Sequence, residues 1–269
     1  MKVRRRLDVE LARRGLVEGR GAAREVIEAG RVTVDGALAI KPARLVDPGQ
    51  AVVLAGPPPK YVSRGGRKLE AALEGFNIDV EDLRAVDVGA STGGFTDCLL
   101  QRGAASVVAI DVGRGQLHHR LVSDPRVAVY EQTNARGIDG RAVGAPFDLL
   151  VADLSFISLR TVMTDLIGLV AHGAQMVLLV KPQFEAGKAE ADRGRGVIRD
   201  PEVWTAVLKA VDVSVRAHGA AIMEGVASPI TGADGNVEFL VYVRTGITGT
   251  PLDAARLVAS WVDKQGKRA

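Results

Sequence analysis

Val86-Asp87-Val88-Gly89-Ala90-Ser91-Thr92-Gly93-Gly94-Phe95 is the stretch whose reading decides the fold. A short apolar run enters a glycine-rich turn, and Phe95, Leu99 and Leu100 then recur at helical spacing. A second apolar run, Val107 to Ile110, ends in Asp111, about 20 residues beyond the loop. The pattern predicts strand, glycine loop, helix, strand and acid. In such a unit the glycines let backbone approach an adenosine cofactor, and the terminal acid accepts from the ribose hydroxyls.

NAD and S-adenosylmethionine both satisfy that description. The NAD fingerprint is Gly-x-Gly-x-x-Gly, and Ser91 stands at its second glycine. Asp87 ahead of a Gly-x-x-x-Gly-Gly turn instead resembles motif I of the methyltransferases, and a loop flanked by carboxylates suits a cationic methionine group. Outward from the loop, further strands are expected at Val127 to Tyr130, Leu149 to Asp153, Met176 to Lys181, Ala220 to Val226 and Val237 to Val243. Helical stretches separate most of them; only a loop separates the last two, which suits a hairpin. The expected fold class is α/β, a seven-stranded Rossmann-like sheet of the class I methyltransferase type.

Four charged residues fall at or beside the ends of these elements, where open α/β sheets bind ligands. Lys68 precedes the sheet, Asp153 and Lys181 end the fourth and fifth strands, and Glu238 lies near the start of the last. Lys-Asp-Lys-Glu in this order resembles the tetrad of RNA ribose 2'-O-methyltransferases. A ribose hydroxyl is a weak nucleophile that must lose its proton as it attacks. Lys181 is expected nearest that oxygen, either as a base made less basic by Lys68 and burial or as a cation stabilising the alkoxide. Asp153 and Glu238 would orient the lysines. Base methylation is disfavoured: Cys98 lies in the helix after the loop, away from any Pro-Cys nucleophile, and Asp153-Leu-Ser-Phe156 stands where amine methylation uses Asn/Asp-Pro-Pro-Phe/Tyr.

The first sixty residues read differently. Apolar residues at helical spacing, with Gly15 and Gly30 as stops, give two short helices. Val32 and Val34 then alternate into an Asp35-Gly36 hairpin turn, and Ala51 to Leu54 forms a further strand. Arg6-Leu-Asp-Val-Glu-Leu, Gly30-Arg-Val-Thr-Val-Asp-Gly36 and Lys41-Pro resemble an S4 RNA-binding domain, an α+β module, over about residues 6 to 54, with Gly19 where the family usually has serine. Charge agrees: residues 1–68 hold 15 lysines and arginines against 7 acids, while the remainder holds 20 against 25. Arg4, Arg5, Arg6, Arg20, Arg24 and Lys41 are candidates for phosphate contact, joined by Arg64 and Arg67 in the basic motif that follows Gly56-Pro57-Pro58-Pro59. The expected domains are 1–55, RNA-binding, and 64–269, catalytic, with a linker at 56–63.

Taken together, Ser63-Arg-Gly-x-x-Lys-Leu, the loop at Asp87, Thr133-Asn-Ala-Arg, Ala152-Asp-Leu-Ser-Phe-Ile-Ser and Lys181-Pro-Gln-Phe-Glu resemble the TlyA family across nearly the whole chain. The resemblance implies 2'-O-methylation of cytidine in ribosomal RNA. The basic lead and a last helix, about Leu252 to Asp263, point to the form acting on both 30S and 50S subunits. It puts S-adenosylmethionine contacts on Gly89, Ser91, Gly93, Phe95, Asp111, Asn134 and Asp153. Tyr61 and Arg114 depart from the family pattern, which has tryptophan and often an aromatic there. Family members have also been labelled haemolysins. A membrane toxin needs an apolar span or secretion signal; the longest apolar stretch, Val162 to Val180, is interrupted by Asp165, His172 and Gln175. A non-catalytic assembly factor would be expected to lack a tetrad residue, and a pseudouridine synthase to lack the cofactor loop. One cysteine excludes an internal disulfide and a thiolate metal cluster, and no metal is expected. A cytoplasmic monomer is expected, as is a Gly187 to Asp200 segment that stays mobile until RNA binds.

Overall fold

The computed structural model describes residues 4–17, 19–56, 59–187, 190, 194, 196–232 and 235–266. The chain divides into two compact units, Met1–Arg64 and Gly65–Ala269.

The first unit contains β1 (Arg5–Arg6), α1 (Leu7–Arg13), α2 (Arg20–Glu28), β2 (Val32–Val34), β3 (Ala37–Leu38), β4 (Leu45–Val46) and β5 (Val52–Leu54). Asp35 and Gly36 join β2 to β3 with φ of 52° and 79°, the left-handed pair a tight two-residue hairpin requires. The strands order β3-β2-β5, and β1 pairs separately with β4. Leu7 and Leu11 of α1, Val26 and Ile27 of α2, and Val32 and Val34 of β2 form the core. The stretch at 56–63 belongs to this unit, and its Tyr61 is buried. Pro57 and Pro58 of the expected linker lie outside the described residues.

The second unit begins with α3 (Gly65–Gly75), β6 (Arg84–Val88), α4 (Gly94–Gln101), β7 (Ser106–Ile110), α5 (His119–Val122) and β8 (Val127–Tyr130). It continues through β9 (Phe147–Ala152), α6 (Leu159–Gly168), β10 (Val170–Val180), α7 (Pro182–Glu185), α8 (Pro201–Ala217), β11 (Ala220–Ala227), β12 (Phe239–Thr245) and α9 (Ala254–Gly266). Seven strands form one sheet in the order β11-β12-β10-β9-β6-β7-β8. The expected hairpin is present, and β12 inserts antiparallel between β11 and β10. Met176 to Val180 on β10 is continuously apolar and buried because the strand is covered on both faces.

Two details differ from expectation. β10 starts at Val170, not Met176, with an irregularity in its pairing to β9 between Val170 and Gln175. Asp153 and Lys181 lie one residue beyond their strands, and Val237 and Glu238 precede β12. Pro182 explains one of these ends: it has no N–H to extend the ladder, and it opens α7 at once. Near the end of the Gly187 to Asp200 segment the described residues make specific hydrogen bonds. The Ile198 N–H donates to Asn236 Oδ1 at 2.9 Å, Asn236 Nδ2 donates to the Gly196 carbonyl at 2.8 Å, and the Trp204 indole N–H reaches the Ile198 carbonyl at 3.1 Å. Residues 188, 189, 191–193 and 195 of that segment lie outside the described residues.

Candidate active site

Strand register assembles the site. Parallel pairing of Val88 with both Ile110 and Ala152 brings the next residues, Gly89, Asp111 and Asp153, to one edge of the sheet. Antiparallel pairing of Val180 with Phe239 sets Lys181 beside Glu238 at that same edge. Residues scattered over 150 positions of sequence therefore meet because each immediately follows or precedes a paired strand end.

A cavity of about 450 Å³ opens there, within the range of small-ligand pockets. Gly89, Ser91, Asp111, Asn134 and Asp153 line it. Gly93 and Phe95, expected beside the cofactor, are not among its lining residues. Phe95 is buried in α4, and Gly93 is the left-handed N-cap of that helix, where a Cβ would fall 2.2 Å from Leu121. Gly89 is required by packing: at φ +87° its Cβ would stand 2.7 Å from the Asp153 carbonyl oxygen. Asp111 organises the loop, its two carboxylate oxygens accepting the Ser91 and Gly113 N–H groups at 2.7 Å each. Lone pairs remain on both oxygens for ribose hydroxyls.

The four charged residues form two pairs. Lys68, buried in the first turn of α3, donates to Glu238 Oε2 at 2.5 Å. Lys181 Nζ stands 2.5 Å from Asp153 Oδ1 and donates to Ser155 Oγ at 2.9 Å. Each lysine thus has its own carboxylate. Asp153 also lines the cavity, so it touches both the lysine and the space a cofactor takes. Glu185 braces this geometry. Its carboxylate accepts from the Ser158 hydroxyl and the Leu159 N–H, both at 2.6 Å, and from Arg160 Nε at 3.1 Å. The loop carrying Asp153 and Ser155 is thereby tied to the helix that follows Lys181.

Beneath the loop, Asp87 has no exposed surface. Burial pushes its carboxyl up to about 7; Asp153 and Asp111 push the same way, and hydrogen bonds from Thr96 oppose them. Phe156 stands at the cavity edge, 91% exposed with φ +64°, its ring 5.3 Å from that of Phe184.

Residues 61–245 match the FtsJ-like methyltransferase family and residues 5–52 match the S4 domain. The 16S/23S rRNA (cytidine-2'-O)-methyltransferase TlyA of Mycobacterium tuberculosis is 49% identical over 246 residues, covering 91% of each chain. This chain belongs to the TlyA family. Hemolysin A of Brachyspira hyodysenteriae is 38% identical, over 88% of this chain and 98% of its own. A solved structure from Streptococcus thermophilus, described as a candidate hemolysin, matches 100% of this chain and 99% of its own at 37% identity and a TM-score of 0.78. Among the described residues, no helix is long and apolar enough to cross a membrane.

In this TlyA-family chain the expected RNA-contact residues have distinct settings. Arg4 pairs with Asp47 at 3.1 Å, and Arg6 and Arg20 reach Asp8 at 2.9 and 3.5 Å. Lys41 and Arg67 are exposed, and Arg64 is half-buried. Sequence reading missed Ser155 and Phe156 as site residues, although both stand in the quoted Asp153-Leu-Ser-Phe156 motif. A hydroxyl two residues past a candidate acid was the available signal for Ser155. The bracing role of Glu185 had no such signal, because its partners lie 25 to 27 residues away in sequence.

Proposed function

We propose that this protein transfers a methyl group from S-adenosylmethionine to the ribose 2'-oxygen of cytidine in both 16S and 23S ribosomal RNA. The observation that carries the reading is the Lys181–Asp153 pair at the lip of a ligand-sized cavity, with Asp153 shared by both. The cavity suits the cofactor: Asp111 can accept ribose hydroxyls, and Asp111, Asp153 and the underlying Asp87 provide a negative setting for a cationic ligand. When bound, the cofactor supplies an electrophilic methyl group.

The remaining work falls to the chain. An ammonium has three donors. Lys181 donates one of them to Ser155 and is paired in charge with Asp153, leaving donors for the ribose 2'-oxygen, whose proton passes to solvent. Glu238 fixes Lys68 as a second cation beside the site. Phe156 offers an exposed ring at the entrance, on which an unstacked base can lie. The S4 unit supplies salt-dependent phosphate contacts that carry no sequence information. The choice of cytidine and of both subunits rests on similarity to the mycobacterial relative of that name.

The test is methyl transfer from labelled cofactor to isolated 30S and 50S subunits, with Lys181→Ala alongside. We expect label on ribose in both subunits and at least a hundredfold slower transfer by the variant, in the range of a lost electrostatic donor. Label on a base would overturn the reaction class, label on one subunit the substrate range, and an unimpaired variant the role of Lys181.

A further inference from the structure

Asp8, an acid in the most basic part of the chain, has a side chain with no exposed surface. Three guanidinium groups converge on it. Arg6, just ahead of α1, clamps it through two N–H groups at 3.0 and 2.9 Å. Arg20 and Arg24, one turn apart on α2, reach the same carboxylate at 3.5 and 3.8 Å. The arginine side chains remain 39%, 59% and 57% exposed. Contact with Arg6 and burial act in opposite directions on Asp8, and the balance holds its carboxyl below the usual carboxylate range.

The arrangement is three cations on one buried anion. A guanidinium has five N–H donors; Arg6 uses two here, so each arginine keeps donors for a further oxyanion. Without the carboxylate, three like charges on long side chains would repel and spread. With it, they are held on one face across α1 and α2 before any ligand arrives. Ordering such a side chain on binding costs conformational freedom, a cost already met in the folded protein.

We propose that Asp8 is a positioning residue of the RNA site: it organises Arg6, Arg20 and Arg24 into a preformed receptor for the phosphodiester backbone. This inference rests on the reading that the S4 unit meets RNA. Its consequence runs against simple electrostatics. Removing an acid from a polyanion-binding surface should tighten binding and steepen its salt dependence. Here removal should weaken binding, because orientation is lost while charge is gained.

The experiment measures binding of the full-length protein to isolated 50S subunits as a function of salt, for wild type, Asp8→Asn and Arg6→Ala/Arg20→Ala/Arg24→Ala, with and without Asp8→Asn. We expect Asp8→Asn to bind roughly tenfold more weakly than wild type, and to have no further effect once the three arginines are gone. Binding by Asp8→Asn as tight as wild type, or tighter, overturns the proposal. So does an equal loss in the arginine-free background, which would mean that Asp8 acts on the fold alone. Should Asp8→Asn unfold, Arg6→Lys decides the matter: it keeps the charge and loses the two-point clamp, so weaker binding is expected and unchanged binding refutes. Wild type that fails to bind the subunits would defeat the underlying RNA reading instead.

Discussion

Asp87→Asn should make the second unit more stable at neutral pH while weakening its hold on the cofactor. Asp87 Oδ2 accepts the Thr96 N–H at 2.9 Å and its hydroxyl at 2.7 Å, while Oδ1 is buried with no hydrogen-bond partner. Burial, reinforced by Asp153 and Asp111, raises the carboxyl from 3.8 to about 7 in the fold. The folded state therefore binds this proton more tightly than the unfolded chain does. The group's contribution to stability is complete below about pH 4 and is lost progressively as pH rises toward 7. A shift of roughly three units corresponds to a loss on the order of 4 kcal/mol across that window.

Asparagine keeps an acceptor for Thr96 and cannot ionise. The stability of the variant relative to wild type should therefore climb from pH 4.5 to 8. Trp204 and Trp261 both lie in the second unit, so urea unfolding followed by tryptophan fluorescence reports on the right body. Titration calorimetry with S-adenosylmethionine at pH 8 gives the functional side. Parallel pH curves for the two proteins, or a variant that loses ground as pH rises, would refute the reasoning.

Gly89→Ala should destabilise the second unit by roughly 2–4 kcal/mol and abolish cofactor binding, because a Cβ at positive φ meets the Asp153 carbonyl; urea midpoints and calorimetry check both. Ser155→Ala removes the hydroxyl that accepts from Lys181, so the single-turnover rate should fall about tenfold while Ser155→Thr retains most of it. An alanine variant with full rate would show that Asp153 alone suffices. Glu185→Ala strips the partner from Ser158, Leu159 and Arg160 at once and should cost about 3 kcal/mol, read as a lower urea midpoint.

Much of the molecule is legible locally. The turn at Asp35-Gly36, the glycine loop and the apolar runs of the seven strands each rest on neighbours within a few residues, where backbone sterics and periodicity act. The meeting of Asp153, Lys181 and Glu238 was legible for a related reason: in an open α/β sheet, residues at strand ends share one edge, so order along the chain predicts proximity; Lys68, on α3, joins them through Glu238. Gly93 and Phe95 were expected at the cofactor from motif position; they are not among the residues lining the cavity, and in the fold they meet α5 and the core. A motif position carries no information about which face of the loop a neighbouring helix covers.

The sequence by itself determined the two-part architecture, the glycine-rich loop and the positions of the four charged residues along the chain, since periodicity, turn chemistry and motif spacing are properties of short segments. Only the tertiary structure decided how those charges pair, Lys68 with Glu238 and Lys181 with Asp153, and that buried Asp8 gathers three arginines. Pairing depends on strand register and on side chains meeting across distances of up to 170 residues in sequence, and a linear reading holds neither.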